Sequence, residues 1–344
     1  MVIGVGIVGT GFAATKRAEA VAAGCPAGTE AVRSHLVAVA GEAERARAIA
    51  LPYGADALSD WRQLVADDRI DLVVVATVNA RHGAVVEAAL RAGRHVVVEY
   101  PLALDLSQAQ ALVTLARERQ RLLHIEHIEL LGGLHQTAKA HLAMVGPPTF
   151  ARYTTLAPQH PAPQKWSYRL DLSGFPLVSA LSRVSRLVDL FGSVTAVSCH
   201  SQFDPAPVPY YRACLCEATL QFASGVKAEL VYGKGERDWV RTRRLEIVGP
   251  GGQMIFEGDR GRFQPTAPGP ILDPTGHEQV GREQPISVAP RRGLFQQDTA
   301  QVMAHLLHGD PLQPPSANSL YALTVADALR RSAATETPVV LPVR

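Results

Sequence analysis

Cysteine is scarce in this chain, and so is any excess of charge. Its four cysteines among 344 residues, Cys25, Cys199, Cys214 and Cys216, are too few for a disulfide scaffold. They show none of the paired C-x-x-C spacing of a zinc site. Cys214 and Cys216 stand two apart in a strand-like stretch and so share a face, which argues for packed, reduced thiols. The 34 basic and 32 acidic residues leave a formal charge of +2. The short basic clusters at Arg241 to Arg244 and at Arg291 and Arg292 suit solvated faces or small anionic pockets, and a nucleic-acid partner is not expected. No apolar run approaches the ~18 residues that span a bilayer, so no membrane partner is expected either. The uncharged start through Ala14 lacks the basic leader of a signal peptide, and a cytoplasmic location follows as an expectation.

What is present is an ordinary globular composition, 47% apolar and 19% charged, over a length that at roughly 150 residues per domain implies two domains. The first third alternates short apolar strands with helical stretches: Val2 to Val8, Leu36 to Ala40, Leu72 to Ala76, Val96 to Glu99 and Leu122 to Glu126. Strands that are apolar throughout and separated by helices mean a parallel sheet covered on both faces, a doubly wound α/β Rossmann domain over residues 1–124. Beyond it, strand-like runs at 150–155, 196–203, 213–222, 227–232, 244–248 and 253–256 are separated by turns, which predicts an antiparallel sheet in an α+β domain over 125–344. Phe175 to Phe191 has the spacing of one helix, and two helices close the chain. The Gly- and Pro-rich stretch from Gly258 to Pro285 reads as a long loop holding a weak strand.

Chemistry enters at Gly9-Thr10-Gly11-Phe12-Ala13-Ala14, directly after the first strand and before a helix. Gly9 permits the tight turn, Gly11 lets a pyrophosphate approach the backbone, and Ala14 allows the helix to pack closely. The free N–H groups of the helix start then favour phosphate. Where an NAD-specific site carries an acid at the end of the second strand, this chain has Ala40-Gly41. The space suits a 2′-phosphate, with Arg45 and Arg47 near it and Glu42 and Glu44 opposing them. NADPH is therefore expected, with NADH as the alternative. His124-x-Glu126-His127 has the letters of a zinc motif, but it lies in a strand where both histidines cannot share a helix face, and no metal is expected.

Two further strand ends, Ala76-Thr77-Val78-Asn79-Ala80-Arg81-His82 and Gly93-Arg94-His95-Val96-Val97-Val98-Glu99-Tyr100-Pro101, complete a pattern that resembles the glucose-fructose oxidoreductase, inositol dehydrogenase and MocA family. The resemblance implies that Ala76, Thr77, Asn79, His82 and Glu99 serve the cofactor. Two departures are informative. Tyr100 replaces the family lysine, and Ser182 and Arg186 replace the aspartate and histidine of its polyol-oxidising motif, so the usual groups that take a proton from an alcohol are missing. Within the family the set is similar to the biliverdin reductases, the cyanobacterial type in particular. The matching stretches are Glu99-Tyr100-Pro101, the run Leu122 to Gly133, Gly174 to Arg183, Tyr232 to Glu236 and Arg291 to Asp298.

That resemblance implies reduction of biliverdin, a tetrapyrrole with two propionates, by a hydride at its C10 bridge and a proton at a pyrrole nitrogen. Arg183, on an otherwise apolar helix, is the candidate to polarise or protonate that nitrogen; the alternative is a surface arginine paired with Asp189 or Asp171. Arg186 would bind a propionate or be its solvated neighbour. Tyr100 would orient the reactants or simply pack. Glu126 and His127 would line the pigment cleft or bond across the domain junction. Two rival functions are a dehydrogenase of another carbonyl or polyol compound and a dinucleotide- or pigment-binding sensor without turnover.

Overall fold

The computed structural model describes residues 2–24, 33–204, 209–266, 283–313 and 316–344; Cys25 lies outside them. The chain forms two compact units that interleave along the sequence. The first takes Met1–Leu131, Arg169–Leu181 and Gly293–Thr324, the second Gly132–Tyr168, Ser182–Arg292 and Val325–Arg344. Where the sequence reading has one passage, after residue 124, the chain first crosses at 131 and returns twice.

The first unit holds β1 (Val2–Val8), β2 (Arg33–Ala40), β3 (Asp56–Leu58), β4 (Leu72–Val75), β5 (His95–Val98) and β6 (Leu123–Ile125). All are parallel, in the order β3-β2-β1-β4-β5-β6. This is the Rossmann order, and it reverses direction between β1 and β4, where the carboxyl ends of the strands open a ligand crevice. Every residue of β4 is buried, as a central strand covered on both faces requires. Ile3, Val5, Ile7, Leu72 and Val74 form the core together with Val302 and Met303, from the helix Leu294–His308. β3 and the short helix Trp61–Ala66, started by the Asp60 cap, were not foreseen.

The second unit is built on a nine-stranded sheet: β7 (Phe150–Pro158), β8 (Val194–Phe203), β9 (Ala213–Phe222), β10 (Lys227–Gly235), β11 (Thr242–Gly249), β12 (Gly252–Glu257), β13 (Arg260–Pro265), β14 (Gln284–Ser287) and β15 (Val339–Val340). Their order is β14-β13-β12-β11-β7-β10-β9-β8-β15. The sheet is antiparallel except that β7 and β10 run parallel, from Phe150 beside Lys227 to Pro158 beside Gly235. The long connection through helices, β8 and β9 permits a pairing that no hairpin could make. β13 and β14 account for the ends of the stretch read as a loop; residues 267–282 between them lie outside the described residues. The expected helix from Phe175 to Phe191 is two helices, Pro176–Ser179 and Ser182–Phe191, because Ala180 leaves helical geometry at φ −102° and ψ 35°. Arg183 therefore stands in the first turn of a new helix. Among the described residues no helix is long and apolar enough to cross a membrane.

Candidate active site

The glycine turn is shaped as its spacing predicts. Gly9 has φ +134°, and a Cβ there would run into the Ala76 carbonyl, so only glycine lets β1 and β4 close together. Gly11 is the N-cap of the helix Phe12–Ala23 and makes no side-chain cap bond, while nothing within 4 Å crowds its Cβ position. The first N–H groups of that helix are thus left for an anion. Ala14 is fully buried, and Phe12 is 73% exposed, its ring edge-to-face with Phe295 at 6.1 Å. The residues fit a dinucleotide pyrophosphate over Gly9, Thr10, Gly11, Phe12 and Ala13.

At the end of β2 the Gly41 N–H donates to the Leu58 carbonyl at 3.0 Å, and Thr10 Cγ2 would lie 2.6 Å from a Cβ at Gly41. Glu42 caps its own helix, accepting from the Glu44 and Arg45 N–H groups, and it pairs with exposed Arg45 at 3.7 Å. The acid that the sequence sets against a 2′-phosphate is engaged with its own helix.

Asn79 and His82 are buried and act on the backbone. Asn79 Nδ2 donates to the Ser173 carbonyl at 3.0 Å. The two ring nitrogens of His82 face the carbonyls of Pro101 and Thr77, at 2.8 and 3.1 Å. Burial holds this imidazole below its ordinary range, and a neutral ring donates to one of the two. His82 thus braces the loops after β4 and β5.

Beneath Glu99 lies a buried charge network that the sequence reading missed. Arg17, 1% exposed, donates from Nε to Glu99 at 3.1 Å and from Nη1 to Asp298 at 2.6 Å and Thr299 at 3.2 Å. His124 Nε2 donates to the other Asp298 oxygen at 2.9 Å. Burial alone would raise the Asp298 pKa, but Arg17 and His124 outweigh it and hold the carboxylate far below its usual range. His127 stacks on Tyr100, ring centroids 5.3 Å apart and planes within 4°. Burial, with His124 adding to it, pushes its imidazole down to about 3. Glu126 accepts from the Ile128 N–H. The first unit thus gathers Glu99, Tyr100, Glu126 and His127.

Burial, with Glu99 beside it, pushes Glu126 well above the carboxylate range, which favours its protonated form. A carboxyl whose folded pKa exceeds its unfolded value contributes stability that is fully present below the unfolded pKa and lost as pH rises through the folded one. Glu126→Gln keeps the neutral shape, so its melting temperature should gain on the wild type between pH 6 and pH 9. An unchanged difference at the two pH values would mean that Glu126 is ionised throughout.

In the second unit the helix Ser182–Phe191 lays two arginines on tyrosine rings of the sheet. Arg183 lies 5.4 Å from the centroid of Tyr232 and Arg186 5.5 Å from that of Tyr153. Burial would raise the Tyr153 phenol, but Arg186, Arg183 and Arg243 together hold it below its ordinary range. Arg186 is 1% exposed, not a solvated neighbour. The acids expected as surface partners of Arg183 are occupied elsewhere. Asp171 pairs with Arg169 at 2.6 Å; Asp189 takes His135 at 2.8 Å and Lys139 at 2.9 Å. Lys234, which sequence reasoning carried only inside a matched motif, stands in a box of Tyr168 and Tyr211. Among the described residues no cluster of three or more His, Cys, Asp or Glu could hold a metal ion.

Residues 3–127 match the oxidoreductase family described as an NAD-binding Rossmann fold, and residues 146–341 match that family's C-terminal α/β domain. A solved biliverdin reductase from Synechocystis, in complex with biliverdin and NADP+, is 45% identical with a TM-score of 0.87, covering 96% of this chain and 99% of that one. Biliverdin reductase A of Mus musculus is 33% identical over 146 residues, 41% of this chain and 46% of that protein, so the match spans less than half of that relative. A dTDP-3,4-didehydro-2,6-dideoxy-α-D-glucose 3-reductase of Actinomadura kijaniata is 26% identical over 96% of both chains.

Proposed function

Because this chain belongs to the glucose-fructose oxidoreductase, inositol dehydrogenase and MocA family of NAD(P)-dependent oxidoreductases, we propose that it reduces biliverdin to bilirubin in the cytoplasm, NADPH supplying the hydride to the C10 bridge. The observation that carries this reading is Arg183 on its tyrosine-backed face, beside a buried Arg186 at the place of the family's polyol histidine. A guanidinium near a pyrrole nitrogen draws electron density from C10. With a pKa of about 12 or higher it keeps its own proton, so Arg183 polarises and water brings the proton. Preorganised charge of this kind acts without rearrangement at the moment of reaction. Tyr100, held by the His127 ring, orients the reactants, and Glu99, fixed by Arg17, supports the cofactor ribose. A polyol or sugar substrate, as the Actinomadura relative's name would suggest, finds no base at Tyr100 or Arg186.

The test is to mix the protein with biliverdin and NADPH, with NADH in parallel, and follow the visible spectrum. Decay of the long-wavelength band into a bilirubin band, only with protein and cofactor together, supports the reading. Pigment that binds and persists supports the sensor instead. Cofactor preference has its own variant: Gly41→Asp, with Thr10→Ser to relieve the contact with Thr10 Cγ2, should move the NADPH-to-NADH ratio of kcat/KM toward NADH by about tenfold or more, since a carboxylate repels the 2′-phosphate and bonds the 2′-hydroxyl. An unchanged ratio would place the phosphate contacts elsewhere.

A further inference from the structure

Lys234 is a half-buried amine of the second unit. It stands on β10 two residues past Tyr232 and so shares the face over which Arg183 lies. Its Nζ donates to the Ser167 carbonyl at 2.5 Å and sits 4.6 Å from the Tyr168 ring centroid and 5.3 Å from that of Tyr211. Among the described residues no carboxylate pairs with it. The charged or titratable groups that face it are Arg183, the thiols of Cys214 and Cys216, and the two phenols. Cys214 is kept neutral by burial, Cys216 by its bond to Cys199 together with burial. Burial and the nearby guanidinium make this amine costly to keep charged unless an anion arrives, a cost that the two facing rings offset in part. An ammonium carries three donors, of which Ser167 takes one.

We infer that Lys234 receives a carboxylate of the substrate, with Arg183 and Arg186 on the same tyrosine-backed face directed at the rest of the molecule. This rests on the proposed function, in which the substrate brings two propionates. The rings orient the ammonium, and since no carboxylate among the described residues pairs with it, its remaining donors are left for the ligand. Burial and Arg183 lower the amine's pKa in the free protein; the arriving carboxylate raises it again, so binding takes up a proton. Affinity for a carboxylate ligand then falls as pH rises between the free and bound values.

The experiment titrates biliverdin and biliverdin dimethyl ester into the NADP+-bound protein, which cannot turn over, and reads the pigment absorbance for wild type, Lys234→Met and Lys234→Arg. Lys234→Met should weaken the diacid by about tenfold or more, as loss of a desolvated charge-assisted pair does, while the ester changes less than about twofold. Lys234→Arg should retain most of the diacid affinity. Wild-type affinity for the diacid should fall with rising pH, and that of Lys234→Met should be flat. Equal losses for both pigments, or no loss, overturn the assignment. Failure of the wild type to bind either pigment overturns the tetrapyrrole reading itself, and the carboxylate site with it.

Discussion

Arg183→Ala is expected to lower kcat by about 10²–10³, the usual loss when one preorganised polar group is removed from a developing charge, while the dissociation constant for NADPH stays within about twofold. The asymmetry follows from where Arg183 sits. Its Nη1 donates to Ser182 Oγ at 2.9 Å and its guanidinium lies over Tyr232, in the second unit, whereas the glycine turn and Glu99 belong to the first. The first turn of a helix also disfavours a cation, so the fold holds Arg183 at a position where charge is not used to stabilise the helix. Arg183→Lys keeps the charge but loses the planar fork and should recover only part of the rate. Single-turnover hydride transfer, measured beside cofactor binding, checks the split. Equal losses in both, or in neither, would remove Arg183 from the chemistry.

The largest effect on stability is expected from Arg17→Met, about 3–5 kcal/mol, because removing one partner of a buried pair leaves the other charge uncompensated. Arg17 is 1% exposed and Asp298 equally so, and the pair joins the first helix to Leu294–His308 through a 2.6 Å bond. Denaturant unfolding should report the loss, with Arg17→Lys in between. A double variant with Asp298→Asn should recover part of it, since the stranded carboxylate is then gone. If Arg17→Met costs under about 1 kcal/mol, water must reach Asp298 and the network is not dry.

How far these parts could be read from the chain depends on their range. The glycine turn was legible because its whole logic lies within six consecutive residues between a strand and a helix. β4 and β5 were legible because unbroken valine runs admit few other structures. β3 was not, since Asp56–Leu58 is short and its first two residues are exposed, leaving neither alternation nor an apolar run. The break at Ala180 was invisible for the opposite reason: apolar spacing continues across it, and only the backbone departs. Arg17 and Asp298 meet across 281 positions; each looks locally like an ordinary charge on a helix. The available signal was a lone charge on an apolar stripe, Asp298 between Leu294 and Val302, and Arg17 beside Ala14 and Ala18, all buried. Tyr100 and Arg186 emerged by departure from a family pattern, which is information about chemistry rather than about folding, and Arg183 as a charge on an otherwise apolar helix.

The return of Gly293–Thr324 to the first unit has a consequence for how the chain is made. Val302 and Met303 belong to the core of the parallel sheet, and Asp298 neutralises Arg17, yet about 160 residues separate this segment from Leu131. At 5–20 residues per second a ribosome needs roughly 10–30 s to deliver them. During that interval the core of the six-stranded sheet lacks Val302 and Met303, and the Arg17 guanidinium has Glu99 but not Asp298 to answer it. A nascent chain stalled before residue 293 should therefore be protease-sensitive in its N-terminal part, and the dinucleotide-binding half of this molecule, although begun first, is complete only when all but the last twenty residues have been made.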